Sequence, residues 1–326
     1  MLLTRRNAMA ASAGGLATLI SPAWSQAAYP SRTIKMIVPY PAGGTTDLLG
    51  RLVADQLKSG LNATCIVENK PGAGTTLGAE QVARSEPDGY TLLMATSTTL
   101  AINKTLYKKL PYDPVKDFTP IALVAGVPFA LIINPTLPAK TLVEFIAYAK
   151  SSSGLAYGSA GNGSPQHLGA EMLKSAAAID IRHVPYRGSV PAMLDVIAGH
   201  IPFMIVDLQP ALQQIREGKV RVLGVTTPKR VAAAPDIPTL AESGLPGFEL
   251  VAWQGVVAPA GLPHPIVDQL AAQIAKLVAD AATRDKLTAL SLEPLTGSTP
   301  ESFAAYVKTE VERWAVVVKN SGAEAE

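Results

Sequence analysis

With 326 residues, 48% hydrophobic and 17% charged, the chain has a globular composition and the length of two domains, which excludes intrinsic disorder. Its formal charge of +2 rests on Arg5 and Arg6; without that pair the 28 basic residues fall to 26, against 26 acidic ones, and nothing favours nucleic acid or an anionic membrane as partner. The single cysteine, Cys65, excludes an internal disulfide and a thiolate metal cluster, and in the strand-like TCIVEN it reads as a buried, inert side chain.

The chain opens MLLTRRNAMAASAGGLATLISPAWSQA. A short basic region precedes an apolar Ala/Gly/Leu core too short and too broken by Pro22 to span a membrane. The stretch ends in Ser25-Gln26-Ala27, which fits export with cleavage near Ala27. Arg5-Arg6 after Thr4 resembles a twin-arginine signal, whereas Ala8 and Met9 stand where that pattern carries a bulky apolar residue. Both the twin-arginine and the Sec route stay open. No cysteine lies near the cleavage region, which argues against a lipid anchor.

From there strand, turn and helix alternate. Residues 33–39 (TIKMIVP) form an apolar strand, and 46–57 a helix with Leu48, Leu49, Leu52, Val53 and Leu57 at helical spacing. Strands are predicted at 64–68 and 90–95, separated by a helix over 75–84 and a turn at Pro87-Asp88-Gly89. The apolar stretch 121–134, interrupted by Gly126 and Pro128, reads as a strand crossing from one domain to another. The rhythm then restarts with a strand at 155–158 and a helix opening at Pro165, with Leu168, Met172 and Leu173 inward. Segments 181–184, 191–198, 203–206, 210–218 and 220–225 continue the alternation. A second long apolar stretch, 248–257 (FELVAWQGVV), carries the chain back, and 265–281, 283–290 and 300–320 are helical. Such alternation implies mostly parallel sheets buried on both faces. The expected architecture is α/β with two lobes, each a mostly parallel sheet flanked by helices, and a ligand cleft between them. After a signal peptide at 1–27, lobe 1 takes 28–125 plus 251–326 and lobe 2 takes 126–250.

Two loops share a grammar. Pro41-Ala42-Gly43-Gly44-Thr45-Thr46-Asp47 and Ser159-Ala160-Gly161-Asn162-Gly163-Ser164-Pro165 each follow a strand and open a helix, with hydroxyl residues at candidate cap positions. Helix N-termini present unpaired N–H groups and partial positive charge, which suits an anion, and glycine lets a ligand approach the backbone. The plainer reading is a pair of capped turns, with Thr45 or Thr46 as cap. Neither loop ends in the Gly-Lys-Ser/Thr of a P-loop, and in Gly72-Ala73-Gly74-Thr75-Thr76-Leu77-Gly78 the third glycine falls one residue late for a dinucleotide fingerprint.

Catalytic patterns are poor. The histidines, His167, His183, His200 and His264, have no metal-ligand spacing, and the second loop does not match a G-x-S-x-G nucleophile elbow. His167 is either a packing histidine or a hydrogen-bond donor to ligand; His183 reads as structural. Asp47, in a first helical turn, suits the helix dipole better than the role of general base. Asp207, at a strand end, holds a pocket water or a ligand hydroxyl, or caps the next helix. Arg187 pairs with a distal carboxylate or stays solvated.

The runs VPYPAGGTTDLLGRLVADQL, VENKPGAG, EPDGYTLLMATS, LYKKLPYDPVKDFTPI, YGSAGNGSPQHLGAEML, HVPYRG and PDIPTLAESGLPGFE closely resemble the Bug family, the extracytoplasmic substrate-binding proteins of tripartite tricarboxylate transporters. The resemblance covers residues 29–320, with the motifs in order. It implies a two-lobed, type II-like periplasmic-binding-protein fold that closes on a small organic carboxylate without enzymatic activity or cofactor, as a monomer in the periplasm serving the membrane components of such a transporter. Carried over residue by residue, it implies a site of Ala42, Gly43, Gly44, Thr45, Thr46 and Asp47 from the first loop and Ser159, Ala160, Gly161, Asn162, Gly163 and Ser164 with His167 from the second. Ser97, Thr98, Tyr186 and Asp207 complete it. The chain departs from the family in Gly74-Thr75-Thr76-Leu77-Gly78, where many members read Gly-Gly-Asn-Ile-Gly, and in Leu-Gln-Pro after Asp207, where Asn-Leu-Pro is commoner. Two other classes remain: a sensor presenting ligand to a membrane kinase, and an exported enzyme on the same fold.

Overall fold

The computed structural model describes residues 29–325, so the predicted export signal lies outside the described residues. Its strands are β1 (Ile34–Val38), β2 (Cys65–Asn69), β3 (Thr91–Thr96), β4 (Phe118–Ile133), β5 (Leu155–Ser159), β6 (Ile181–Pro185), β7 (Phe203–Asp207), β8 (Arg221–Val225), β9 (Val251–Pro259) and the two-residue β10 (Glu293–Pro294). They run in the order β2-β1-β3-β9-β4-β7-β5-β6, with β8 and β10 also on β4. Parallel pairing occupies both ends, β2-β1-β3 and β6-β5-β7. Between them β9 and β4 pair antiparallel with their neighbours, because these two strands carry the chain across and back.

The sixteen-residue β4 serves both halves. Up to Pro128 it pairs with β9; from Phe129 onward it pairs with β7 and β8. Pro128 has no N–H to continue a ladder, so the change of partner falls where the backbone loses a donor. Pro120 likewise sits at a register shift against β9. Thr226, fully buried, holds the junction: its N–H donates to the Phe129 carbonyl (2.9 Å), its Oγ1 accepts from the Phe129 N–H (3.2 Å), and its hydroxyl donates to the Leu250 carbonyl (2.6 Å).

Beyond the junction, both faces of β4 and β7 are buried. Leu131, Ile133, Phe203 and Ile205 belong to the larger apolar core, and the alternate residues Ala130, Ile132, Met204 and Val206 belong to a second core. Period-two alternation between two covered faces produces the unbroken apolar runs of the sequence. The C-terminal helix Pro300–Ser321 is anchored through Glu310, which is 3% exposed and accepts from the indole N–H of Trp253 (2.7 Å) and of Trp314 (2.9 Å). Cys65 is partly rather than fully buried, and that burial pushes its thiol up to about 11, so it is unreactive all the same. Among the described residues no helix is long and apolar enough to cross a membrane.

Candidate functional site

A cavity of about 380 Å³ opens between the carboxyl ends of β1 and β3 and those of β5, β6 and β7. One wall is the loop after β1. Gly43 adopts φ +88°, a conformation that favours glycine, and turns the chain into helix Thr45–Leu61. The N-cap is Gly44, without a side-chain cap; the expected Thr45 or Thr46 cap is not made, because both threonines lie inside the first turn. The N–H groups of that turn therefore have no side chain satisfying them. Ser97 and Thr98, after β3, line the same wall. Beneath them the loop at 72–75 acts as a brace: Thr99 Oγ1 donates to Thr75 Oγ1 (3.0 Å) and Asn103 Nδ2 to the Gly74 carbonyl (2.8 Å).

The second loop does not mirror the first. Ser164 caps helix Pro165–Ala177 by accepting from the His167 N–H (3.3 Å), and donates to the Gly161 carbonyl (2.7 Å). The Gly161 N–H donates to Ser159 Oγ (3.0 Å) and the Gly163 N–H to His167 Nδ1 (3.0 Å). Most donors of this loop are thus consumed inside it. Ala160 and Ser164 line the cavity; Ser159, Gly161, Asn162, Gly163 and His167 do not. The Asn162 amide donates to the Glu324 carbonyl instead.

His167 stacks on His183, ring centroids 3.8 Å apart. Burial, with His183 beside it, lowers His167 to about 3, and burial lowers His183 to about 4, so both rings are neutral near pH 7. Two further expected residues also lie outside the cavity lining. Burial favours the neutral form of Asp47, yet hydrogen bonds from Arg51, the Gly43 N–H and Asn69 hold it below the usual carboxylate range; it braces the first loop. The Tyr186 hydroxyl donates to Asp195 (2.6 Å).

The far wall joins the expected Asp207 to residues outside the expected set, among them Gln166 and Ser189. Asp207 occupies the N-cap position of the following helix, but its carboxylate makes no cap. It accepts from Gln166 Nε2 (2.8 Å) and from the Ser189 hydroxyl (3.1 Å). Burial pushes it up to about 6, with the bonds from Ser189 and Gln166 acting the other way. Arg187 stands exposed at the rim, and Val127, Phe129, Ala252 and Trp253 supply apolar surface. Gln254 reaches in from β9, its amide donating to Thr46 Oγ1 (3.1 Å). A lone glutamine in the apolar FELVAWQGVV was the available sequence signal for it.

Seven buried side-chain polar atoms lack a hydrogen-bond partner among the described residues. Five belong to residues lining this cavity: Thr45 Oγ1, Ser97 Oγ, Thr98 Oγ1, Gln166 Oε1 and Gln254 Oε1. Buried polar groups are nearly always paired, so this concentration singles the cavity out as the candidate site.

Residues 49–323 match the model of the tripartite tricarboxylate transporter family receptor. The chain is 35% identical over 297 residues to Protein BugT of Bordetella pertussis, covering 90% of this chain and 91% of that protein. It superposes on R. palustris Rpa4515 with adipate at a TM-score of 0.87 and 34% identity, covering 91% of this chain and 99% of that one. The match to MatC of Rhodopseudomonas palustris with bound malate has a TM-score of 0.83 and 35% identity, over 89% and 100% of the two chains.

Proposed function

The chain belongs to the tripartite tricarboxylate transporter receptor family, a family of solute-binding receptors with the two-lobed α/β fold, and we propose that its cavity captures a small organic carboxylate for delivery to the transporter's membrane components. The observation that carries this reading is the set of unpartnered hydroxyls of Thr45, Ser97 and Thr98, gathered with the uncapped first turn of a seventeen-residue helix. An anion there meets donors and a partial positive charge without a cationic side chain beneath it. Micromolar affinity requires about −8 kcal/mol; a few charge-assisted hydrogen bonds at ~1.5–3 kcal/mol each, less the costs of association, reach that range. The adipate and malate held by two relatives belong to the same chemical class.

The protein acts by binding rather than turnover, as a monomer exported to the periplasm. A Ser–His contact does exist, Ser159 Oγ to His183 Nε2 at 2.6 Å, but Ser159 is fully buried outside the cavity lining. The likeness to a hydrolytic dyad ends there, because a nucleophile must reach its substrate.

A thermal-shift panel of organic acids tests the reading. One or a few carboxylates should raise Tm, and Gly44→Val should abolish the rise while the variant folds. Gly44 has φ −89°, and a Cβ there meets nothing within 4 Å, so a side chain intrudes on the site without straining the fold. No shift with any acid overturns the proposal.

A further inference from the structure

The polar atoms of the cavity divide into two chemical kinds. On the wall formed by the first loop and Ser97-Thr98 donors are available: three unpartnered hydroxyls, which can donate as well as accept, and the free N–H groups of a helix end. On the far wall they are acceptors. The orientation of Gln166 is fixed by its partner, since an ionised Asp207 only accepts and must face Nε2; Oε1 is left buried and unpaired on a side chain 5% exposed. Gln254 differs: it contacts Thr46 Oγ1 (3.1 Å) and pairs with Thr96 of β3, so it stands with the first wall, and because a hydroxyl both donates and accepts, its orientation is not fixed in the same way. Asp207 itself retains lone pairs beyond those used by Gln166 and Ser189.

A plain carboxylate satisfies the first wall and leaves the second worse off, because its oxygens also only accept. Resting on the carboxylate reading above, we propose that the ligand carries a hydrogen-bond donor, a hydroxyl or an ammonium group, in addition to its carboxylate: the acid group meets Thr45, Ser97 and Thr98, and the donor meets Gln166 Oε1 and Asp207. The lining contains one carboxylate and one guanidinium, Asp207 and Arg187. A hydroxy acid or an amino acid is complementary to that balance, whereas a second carboxylate lodged against Asp207 is repelled.

Calorimetric titration of the whole mature protein with matched acids tests this. Each series differs only in the donor: succinate, malate and aspartate; propionate, lactate and alanine; phenylpropionate, phenyllactate and phenylalanine. In the series that binds, the hydroxy or amino member should bind at least ~10-fold more tightly than the bare acid, since that acid leaves buried acceptors unpaired. Comparison of the two donor-bearing members tells hydroxyl from ammonium. Gln166→Met and Asp207→Asn should narrow the gap, with circular dichroism confirming that each variant is folded. If bare and donor-bearing acids bind alike, this inference falls and the carboxylate reading stands. A gap that neither variant narrows overturns the placement of the donor on this wall. If no acid binds, both fall together.

Discussion

Asp207 couples the site to pH. Its folded-state pKa is raised to about 6 from 3.8 by burial. A carboxyl shifted upward contributes stability that is fully present below 3.8 and is lost as pH rises through about 6. His167 and His183 act oppositely: folding lowers them from 6.5 to about 3 and about 4, so their contribution is present above 6.5 and is lost as pH falls toward those values. The lining also holds the Arg187 guanidinium and Tyr40, whose hydroxyl burial pushes up and keeps protonated. The raw Tm of the ligand-free protein therefore mixes opposing effects, and comparison with Asp207→Asn separates them. The stability of the wild type relative to Asp207→Asn should decline between pH 5 and pH 7 in ligand-free samples. A difference that stays flat over that range means that Asp207 is not destabilised by its surroundings.

Thr226 shows how one hydroxyl secures a junction between strands. Replacing it with valine keeps the shape but leaves the Phe129 N–H without its hydroxyl acceptor and removes the donor to the Leu250 carbonyl. Such buried losses cost about 1–3 kcal/mol, so Thr226→Val should lower the urea midpoint with an unchanged m-value. A loss under ~0.5 kcal/mol, the range of ordinary surface substitutions, would show that the junction is held by strand pairing alone. The junction also explains what was legible in the sequence. Runs such as IKMIV and FALIIN declare buried strands because both faces are covered, and Gly126 and Pro128 flagged the crossing. The helix Leu142–Ser151 is poorly signalled, since its short LVEFIAYAKS follows a long apolar run. The first loop was readable from its glycines and hydroxyls. Of the far wall only Asp207 was readable, and two glutamines were not: Gln166 matters through Asp207, 41 residues away, and Gln254 through Thr46, 208 residues away. Local pattern carries no trace of such pairings. The resemblance of the second loop to the first misled for a related reason, because Ser164 and His167 consume its donors through contacts invisible in composition.

At the scale of the molecule, donors and acceptors sit on opposite walls, contributed by different ends of the sheet. Thr45, Ser97 and Thr98 come from the segments around β1 and β3, and Gln166, Ser189 and Asp207 from those around β5, β6 and β7. We propose that these are the two lobes, 28–125 with 251–326 and 126–250, moving about the places where β4 changes partner and β9 begins. A ligand that satisfies both walls then bonds both lobes at once, and its free energy favours the arrangement that brings them together. A ligand that satisfies only the first wall has little differential affinity for a closed form, and so little power to populate it. Small-angle scattering should therefore show the radius of gyration, ~19 Å for a compact chain of this size, falling on saturation with a tight-binding donor-bearing acid. The fall should be smaller with a weak bare acid at equal occupancy. Identical scattering curves with and without saturating ligand would mean that the lobes form one rigid body, and that affinity arises in the cavity as it stands.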